Sequence, residues 1–146
     1  MMKPQIAALL SVLGLILLLC PLATPAAAAE SRVPDEKLAV LAGLDFLELC
    51  DRGDYAGGWS QTAQLFREKT GREIWLQKIA HLRGQYGNNL QRTLQLSRPI
   101  EDQPVAGREL LFLIFSSRFA KKSVAELLTM VKENGRRWRV AGYSLQ

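Results

Sequence analysis

The spacing of apolar residues changes once along this chain, near residue 90, and that change limits the folds open to it. Before residue 90, apolar side chains recur every three or four positions, which is typical of helices. After it, Leu90, Leu94 and Leu96 alternate with polar residues, which predicts a strand with one buried face. Helices in one half and strands in the other indicate an α+β fold with an antiparallel sheet.

Three helices are predicted before that change, at residues 35–50, 55–69 and 70–86. The first is apolar on almost every side, with Asp45 and Glu48 breaking the pattern, which predicts that it is well buried. The second carries Tyr55, Trp59 and Phe66 at helical spacing along one stripe. The third is predicted to begin with a capping box of Thr70 and Glu73 and to stop at Gly87.

Four strands are predicted after the change, and the last two form a hairpin. The segment at 109–115 is apolar on both faces, so it is expected in the centre of the sheet or covered on both sides. Residues 123–133 and 136–145 flank Asn134-Gly135, the strongest short hairpin signal in a sequence.

A two-residue turn at Asn134-Gly135 would set the register of this hairpin, with Val131 opposite Trp138 and Lys132 opposite Arg137. Trp138 should then point toward the helices. The other face would carry Lys132 and a polar patch, and its like-charge pair would cost stability unless an anion or water relieved it. The residues of this expected patch are Glu126, Arg137, Arg139 and Tyr143.

The first 29 residues predict a secretory signal peptide. Lys3 precedes a charge-free apolar run, and small residues follow, with Ala27 and Ala29 in the pattern of a cleavage site before Glu30. An uncleaved membrane anchor is the alternative, although Pro21 and Pro25 disfavour a continuous helix. We therefore expect a signal peptide at 1–29, a single domain at 30–146, and a secreted or periplasmic location.

The net charge and the cysteine content of the exported domain limit the classes of partner and the disulfides that can be expected. Removing Lys3 from the 19 basic residues leaves 18 against 14 acidic residues, a net charge of +4. This mild positive charge suits the anionic surroundings of a cell envelope, and scattered arginines on an exported chain do not indicate nucleic acid. Cys50 is the one cysteine after residue 29, so no disulfide within the domain is expected, and a buried thiol is the simplest interpretation.

With these residues placed, the chain resembles a bacterial family known as domain of unknown function 4019. The resemblance covers nearly all of the chain after the leader and rests on an arginine four residues before a glycine, on a turn of Asn-Gly type, and on the closing run "WRVAGY". The chain departs from the family pattern at Gly58, Gln85 and Tyr86, and in a longer loop before the second strand. The residues that carry the resemblance are Gly53, Tyr55, Trp59, Trp75, Arg83, Gly87, Arg92, Phe115, Phe119, Lys122, Glu126 and 138–143.

This resemblance implies an exported, compact domain similar to the nuclear-transport-factor-2-like or cystatin-like architecture, and it implies no known activity. Together with the periodicity, it gives the expected fold: three N-terminal helices packed on one face of a curved four-stranded antiparallel sheet.

No catalytic or metal-binding constellation stands out in the sequence, and no cofactor is expected. His81 and Cys50 lie on different helices without spaced partners for a metal. Asp45 is the candidate acid for an isomerase-type pocket, but it also fits a solvated strip with Glu48 paired to Arg52.

Arg83 and Arg92 bracket the turn from the third helix to the first strand. Their planar forks suit either a shared anion or the carbonyls of that turn. With the expected patch they complete the candidate binding residues: Arg83, Arg92, Glu126, Arg137, Arg139 and Tyr143.

Three functions remain open from the sequence. The first is a non-catalytic envelope domain that binds another envelope protein, a peptide or a small apolar ligand, or that forms a homodimer through the sheet face. The second is a membrane-tethered accessory protein that keeps its leader, and membrane contact is expected in that case alone. The third is a pocket enzyme that uses an acid or a tyrosine.

Overall fold

The structure is a computed structural model that describes residues 34–101 and 107–146, all of them within the compact unit Arg32–Gln146. Helices come first in the chain and strands follow, and the strands form one antiparallel sheet in the order β1-β2-β3-β4. The predicted α+β fold and its four-stranded sheet are confirmed. The elements are α1 Asp35–Asp51, α2 Tyr55–Ser60, α3 Gln64–Lys69, α4 Arg72–Tyr86, β1 Asn89–Pro99, β2 Leu110–Phe119, β3 Ser123–Glu133 and β4 Arg137–Leu145.

The second predicted helix is two short helices, α2 and α3, with an extended segment between them. Thr62 forms a parallel bridge with Val140 of β4. Val140 N–H donates to the Gln61 carbonyl at 3.1 Å, and Ala63 N–H donates to the Val140 carbonyl at 2.8 Å. The prediction of one helix over 55–69 is therefore wrong, because these backbone groups bond to a strand instead of continuing the helix.

The start of α4 also differs from the prediction, whereas its end agrees with it. The helix begins at Arg72 after Gly71, and no side chain caps it, so the proposed box of Thr70 and Glu73 does not form. At the other end, the N–H of Gly87 donates to the Arg83 carbonyl, and Gly87 has a φ of +75°. A glycine stop at residue 87 is confirmed.

One side of α1 packs on the sheet, and the opposite side faces solvent. A Cβ placed on Gly43 would lie 3.0 Å from the Cδ1 atoms of Leu113 and Leu128, so the helix approaches the sheet closely there. Ala39, Phe46, Leu47 and Cys50 are buried on this side. The outer side carries exposed leucines, so the helix is well buried on one side only, which is less than its apolar sequence predicted. These residues are Leu38, Leu41 and Leu44.

The inner face of the sheet, which faces α1, holds the main core. Its strand residues include Leu111, Leu113 and Phe115 from β2 and Leu128 and Met130 from β3. Trp75 and Ile79 of α4 join the same cluster, and Trp59 of α2 and Phe66 of α3 pack against it. All four helices therefore contribute to this one core. Within the described residues, no helix is both long enough and apolar enough to span a membrane.

The buried face predicted for β1 is wrong. Leu90 is 56% exposed, and Leu94 and Leu96 are each 39% exposed. β1 lies at the edge of the sheet and has two register shifts, between Asn89 and Gln91 and between Leu94 and Leu96. An extra residue at each shift interrupts the alternation of faces, and an edge strand has a neighbour on one side only.

The register of the β3–β4 hairpin is one residue away from the prediction at its tip. Glu133 lies opposite Arg137 and Lys132 lies opposite Trp138, because Arg136 belongs to the turn with Asn134 and Gly135. Both Asn134 and Gly135 have positive φ values, as a tight hairpin turn of this kind requires. The predicted pairs of Lys132 with Arg137 and of Val131 with Trp138 are therefore wrong.

A second irregularity in β4 decides which way Tyr143 points. Met130 lies opposite Val140, whereas Thr129 lies opposite Gly142, so one extra residue of β4 sits between these pairs. This bulge reverses the alternation beyond Val140. Trp138 points toward the helices as predicted, but Tyr143 points there too, and its ring lies edge-on to that of Phe46 at 5.6 Å. The prediction that Tyr143 and Glu126 face away from the helices is wrong, because Glu126 is also on the inner face, opposite Phe115.

Candidate functional site

Four of the six candidate residues meet beneath the helices. Arg83 from the end of α4, Arg92 from β1, Glu126 from β3 and Tyr143 from β4 converge at the inner face of the sheet. Asp51, the last residue of α1, and Ser117 of β2 complete the group. We call these six residues the charge cluster.

Glu126 is the centre of the charge cluster and is fully buried. Its Oε1 atom accepts hydrogen bonds from Arg83 Nη1 at 2.9 Å and from the Tyr143 hydroxyl at 2.8 Å. Its Oε2 atom accepts from Arg92 Nε at 2.5 Å and from the Ser117 hydroxyl. A buried carboxylate with four donors, two of them cationic, is stable in its charged form.

Asp51 gives the two arginines a second shared carboxylate. Its Oδ2 atom accepts from Arg92 Nη1 at 2.7 Å, and its Oδ1 atom accepts from Arg92 Nη2 at 3.1 Å and from Arg83 Nη2. Arg83 also lies over the Phe119 ring, 4.8 Å from its centroid. Of the two alternatives considered for these arginines, the structure shows shared anions and not the carbonyls of the turn, and the anions are carboxylates of the chain itself.

The cluster contains two cations and two anions, and each of the four carboxylate oxygens accepts at least one hydrogen bond. Burial raises the pKa of Glu126, but the bonds from Arg92, Ser117 and Tyr143 outweigh it and leave that pKa below its ordinary value. Burial, reinforced by the charge of Glu126, raises the pKa of Tyr143. At neutral pH the carboxylate therefore stays charged and the phenol stays neutral.

Cys50 lies close to this cluster and is buried, as predicted. Burial raises the pKa of its thiol to about 12, with the nearby charge of Glu126 acting in the same direction and Arg83 opposing it. The thiolate is the reactive form of cysteine, so this side chain is inert at neutral pH.

The two remaining candidate residues lie elsewhere. Arg139 pairs with Val131 and lies on the face of the sheet opposite α1, and its Nη1 atom donates to Gln61 Oε1 at 2.8 Å and to the Ser60 carbonyl at 3.2 Å, at the end of α2. Arg137 is exposed near the hairpin tip. Lys132, expected beside Arg137, instead donates to Asp35 at 2.7 Å and to Glu109 at 3.1 Å. The six candidate residues thus form two groups on opposite sides of the sheet.

Asp45, the candidate acid of an enzyme pocket, is exposed on α1. Glu48 and Arg52 form the predicted pair on the same helix, at 3.1 Å. His81 is also exposed, and its ring lies 2.9 Å from the Gln85 amide. Residues 34–101 and 107–146 contain no group of three His, Cys, Asp or Glu side chains placed to hold a metal ion.

Asp51 and Ser117 were missed in the sequence, and Asp51 had a signal. An acid in the last turn of a helix lies at the negative end of the helix dipole, which disfavours it unless cations are near. Asp51 occupies that position in α1, and Arg83 and Arg92 supply the cations. Ser117 carries no comparable signal, because a serine on a strand is common on either face.

The fold and this site define a class: a small α+β domain in which helices pack on one face of an open antiparallel sheet and buried ion pairs stabilise that contact. The model of a family described as "Protein of unknown function (DUF4019)" matches residues 42–143, which is more than half of the chain. The chain therefore belongs to the DUF4019 family, as its resemblance indicated. No curated protein matches the chain, and no solved structure matches it.

All six residues of the charge cluster lie within the matched range. Arg83, Arg92, Glu126 and Tyr143 are also among the residues by which the chain resembles the family. In this structure, these four residues join α4 and all but one of the strands into one network.

Proposed function

We propose that this protein is a non-catalytic binding module of the cell envelope, and that it binds an acidic protein partner through the face of its sheet opposite α1. We call this side the outer face. One observation carries the proposal: the outer face combines an apolar centre with a rim of arginines whose charges are not balanced on that face. An envelope location is supported by the leader-like sequence of residues 1–29.

The apolar centre follows from the alternation of side chains along β2 and β3. Since Leu113 and Leu128 face α1, their neighbours Phe112, Ile114 and Leu127 lie on the outer face, where they are half-buried. Leu96 of β1 lies opposite Ile114, extends the apolar surface and is 39% exposed. Adjacent apolar side chains on an open sheet face are typical of a protein-contact surface.

The rim of this surface is basic. Arg98 lies opposite Phe112, and Arg118 follows on β2, both on the outer face and exposed. Arg137 and Arg139 lie on the same face of β4. Among the described strand residues of this face, Glu133 is the one carboxylate, and it accepts the Gln64 N–H at 2.6 Å. Arginine at the rim of an apolar centre matches a partner whose own apolar patch is bordered by carboxylates.

The charge cluster supports a binding role over an enzymatic one. Its two carboxylates are held by arginines, and its tyrosine bonds to Glu126, so none of them is free to take or give a proton to a substrate. Asp45, the acid considered for a pocket, is in water.

A different protein is favoured over a second copy. In a symmetric dimer the same patch meets itself, so the rim arginines of the two copies would approach each other. Arg98 and Arg118 have no ion pair with a described residue, which makes that approach unfavourable. Sedimentation of the purified chain at about 50 µM, a concentration at which a dimer of micromolar affinity forms, would show a dimer if this argument fails.

The proposal can be tested by affinity capture from envelope extracts with three baits: the unmodified chain, the double variant Arg98→Glu/Arg118→Glu, and the charge-matched control Arg52→Glu/Arg72→Glu. Arg52, just after α1, and Arg72, at the start of α4, are exposed arginines, each paired with a nearby glutamate. A true partner is captured by the first and third baits and lost with the second.

Its binding must then be reproduced with both proteins purified, and it must weaken as salt increases. Equal binding by all three baits would contradict the outer face as the contact surface. A dimer seen by sedimentation and abolished by Ile114→Lys would replace the acidic partner with a second copy.

A further inference from the structure

We infer that the helix side of the domain contains a separate binding site for a small apolar carboxylate, in a cleft between α3, α4 and β4. The inference does not depend on the outer face, because the cleft opens on the opposite side of the sheet. The cleft has a volume of about 320 Å³ and lies wholly within the described residues.

The walls and floor of the cleft are aromatic and aliphatic. Phe66 of α3 stands on one side, and Trp75, Ile79 and Leu82 of α4 stand on the other. The Tyr143 ring forms the floor, with its hydroxyl turned away to Glu126 and Arg83. These side chains are fixed by the core: Trp75 packs on Phe46 and Trp59, and Tyr143 packs on Phe46. The cleft is therefore preformed and apolar, as small-molecule sites usually are.

Two polar groups stand at the cleft, and both can donate hydrogen bonds. Lys78 is exposed on α4, and Thr70 is half-buried just after α3. Within the described residues, neither the Lys78 ammonium nor the Thr70 hydroxyl has a hydrogen-bond partner. None of the residues that line the cleft carries a carboxylate. A ligand with an anionic head group satisfies both donors, and this set of side chains would not balance a cationic head group.

The volume limits the size of the ligand. A water molecule occupies about 30 Å³ in the liquid, so the cleft has room for about ten waters. That space suits a short alkyl chain or a single aromatic ring, with the carboxylate at the mouth. The bound molecule would cover the exposed edge of the Trp75–Tyr143 surface without reaching the ion pairs beneath it.

The break between α2 and α3 directly precedes the helix that forms one side of this cleft. Residues 61–63 bond to β4, and Phe66 of the short α3 packs against the ring of Trp59 at 6.0 Å. Phe66, which forms one wall of the site, thus lies just after the backbone irregularity that departs from the sequence prediction.

The test compares octanoate, 1-octanol and octylammonium, which share one chain and differ in the charge of the head group. Binding to the full chain is followed by amide chemical shifts in two-dimensional NMR, which also locate the site. We expect saturable binding of octanoate with shifts confined to α3, α4 and β4 near Tyr143, weaker binding of octanol, and no binding of octylammonium.

Three variants sharpen the result, each checked for folding by circular dichroism. Lys78→Glu should weaken octanoate binding about five- to tenfold and leave octanol unchanged, because an exposed ion pair contributes up to about 1 kcal/mol and the substitution also adds repulsion. Lys37→Glu on the exposed side of α1 is the matched control and should change the binding of neither octanoate nor octanol. Leu82→Trp should fill the cleft and remove binding of both ligands.

Several outcomes would overturn the inference. Octanol binding as tightly as octanoate, with Lys78→Glu without effect, would show that the head group is not recognised. Shifts on the outer face or on α1 would place the binding elsewhere. Absence of saturable octanoate binding at about 5 mM, where even a weak millimolar site fills, would mean that no such site exists.

Discussion

On the inner face of the sheet, two arginines form ion pairs with two carboxylates that are mostly buried, and every carboxylate oxygen accepts a hydrogen bond. On the outer face, four arginines surround apolar side chains, and Glu133 is the one carboxylate of the described strands there. The same residue type serves opposite needs in these two places. A buried arginine whose carboxylate partner is removed destabilises the fold, whereas an exposed one costs little and stays available to another molecule.

The largest effect is expected from breaking the inner network at its centre. Glu126→Gln removes one of two anions that balance Arg83 and Arg92, and Glu126 is fully buried. We expect a loss of about 3–5 kcal/mol in the free energy of unfolding, because the two buried arginines are then balanced by Asp51 alone. Urea denaturation measures this loss.

Glu48→Gln is the control for that substitution, since it removes an exposed carboxylate from an i, i+4 pair on α1. It should cost less than about 0.5 kcal/mol. Equal losses from the two variants would mean that the cluster is not the structural centre that its geometry indicates.

A smaller effect is expected at the edge of the same network. Tyr143→Phe removes a hydroxyl that donates to Glu126 and accepts from Arg83, while Arg83 still bonds to Glu126 directly at 2.9 Å. We expect a loss of about 1–2 kcal/mol, measured by the same denaturation curves. Tyr86→Phe provides the matched control, and its loss should be clearly smaller.

The stability that the charge cluster contributes to the fold should decrease gradually as the pH falls. The folded-state pKa of Glu126 lies below its ordinary value of 4.5, so its contribution to stability is fully present above pH 4.5 and is lost as pH falls through the folded-state pKa. The free energy of unfolding should therefore fall from pH 4.5 downward. The fall should be less steep in Glu126→Gln.

The smallest effect on stability is expected on the outer face. Arg98→Glu/Arg118→Glu changes exposed side chains without buried partners, so the free energy of unfolding should stay within about 0.5 kcal/mol. The same variant should lose the proposed partner. A large loss of stability would mean that these arginines support the fold, and the contrast between the two faces would no longer hold.

The sequence was informative where a pattern is local. Apolar spacing separated the helices from the strands, Gly87 marked the end of a helix, and Asn134-Gly135 marked the hairpin. The burial of Trp138 was predicted, although through a register that proved wrong. Each of these signals depends on a few neighbouring residues, and the chain outside them has little influence.

The sequence was misleading where a single inserted residue changes the face on which a side chain lies, or where a distant contact decides the local structure. The face on which Tyr143 lies depends on a bulge that no residue type predicts. The break at residues 61–63 depends on hydrogen bonds to a strand that lies 78 residues further along the chain. Arg83 and Arg92 were identified as a pair, but their partner Asp51 lies 32 residues before Arg83. Such contacts are tertiary, so neither spacing nor propensity encodes them.

Residues 61–63 also matter for how the sheet ends. By pairing with Val140, they occupy part of the border of β4 where an extended segment of another molecule would otherwise attach. The opposite border, β1, is interrupted by two register shifts and finishes at Pro99, which has no N–H to offer. Both margins are thus poor templates for adding strands, which disfavours edge-to-edge growth into fibrils.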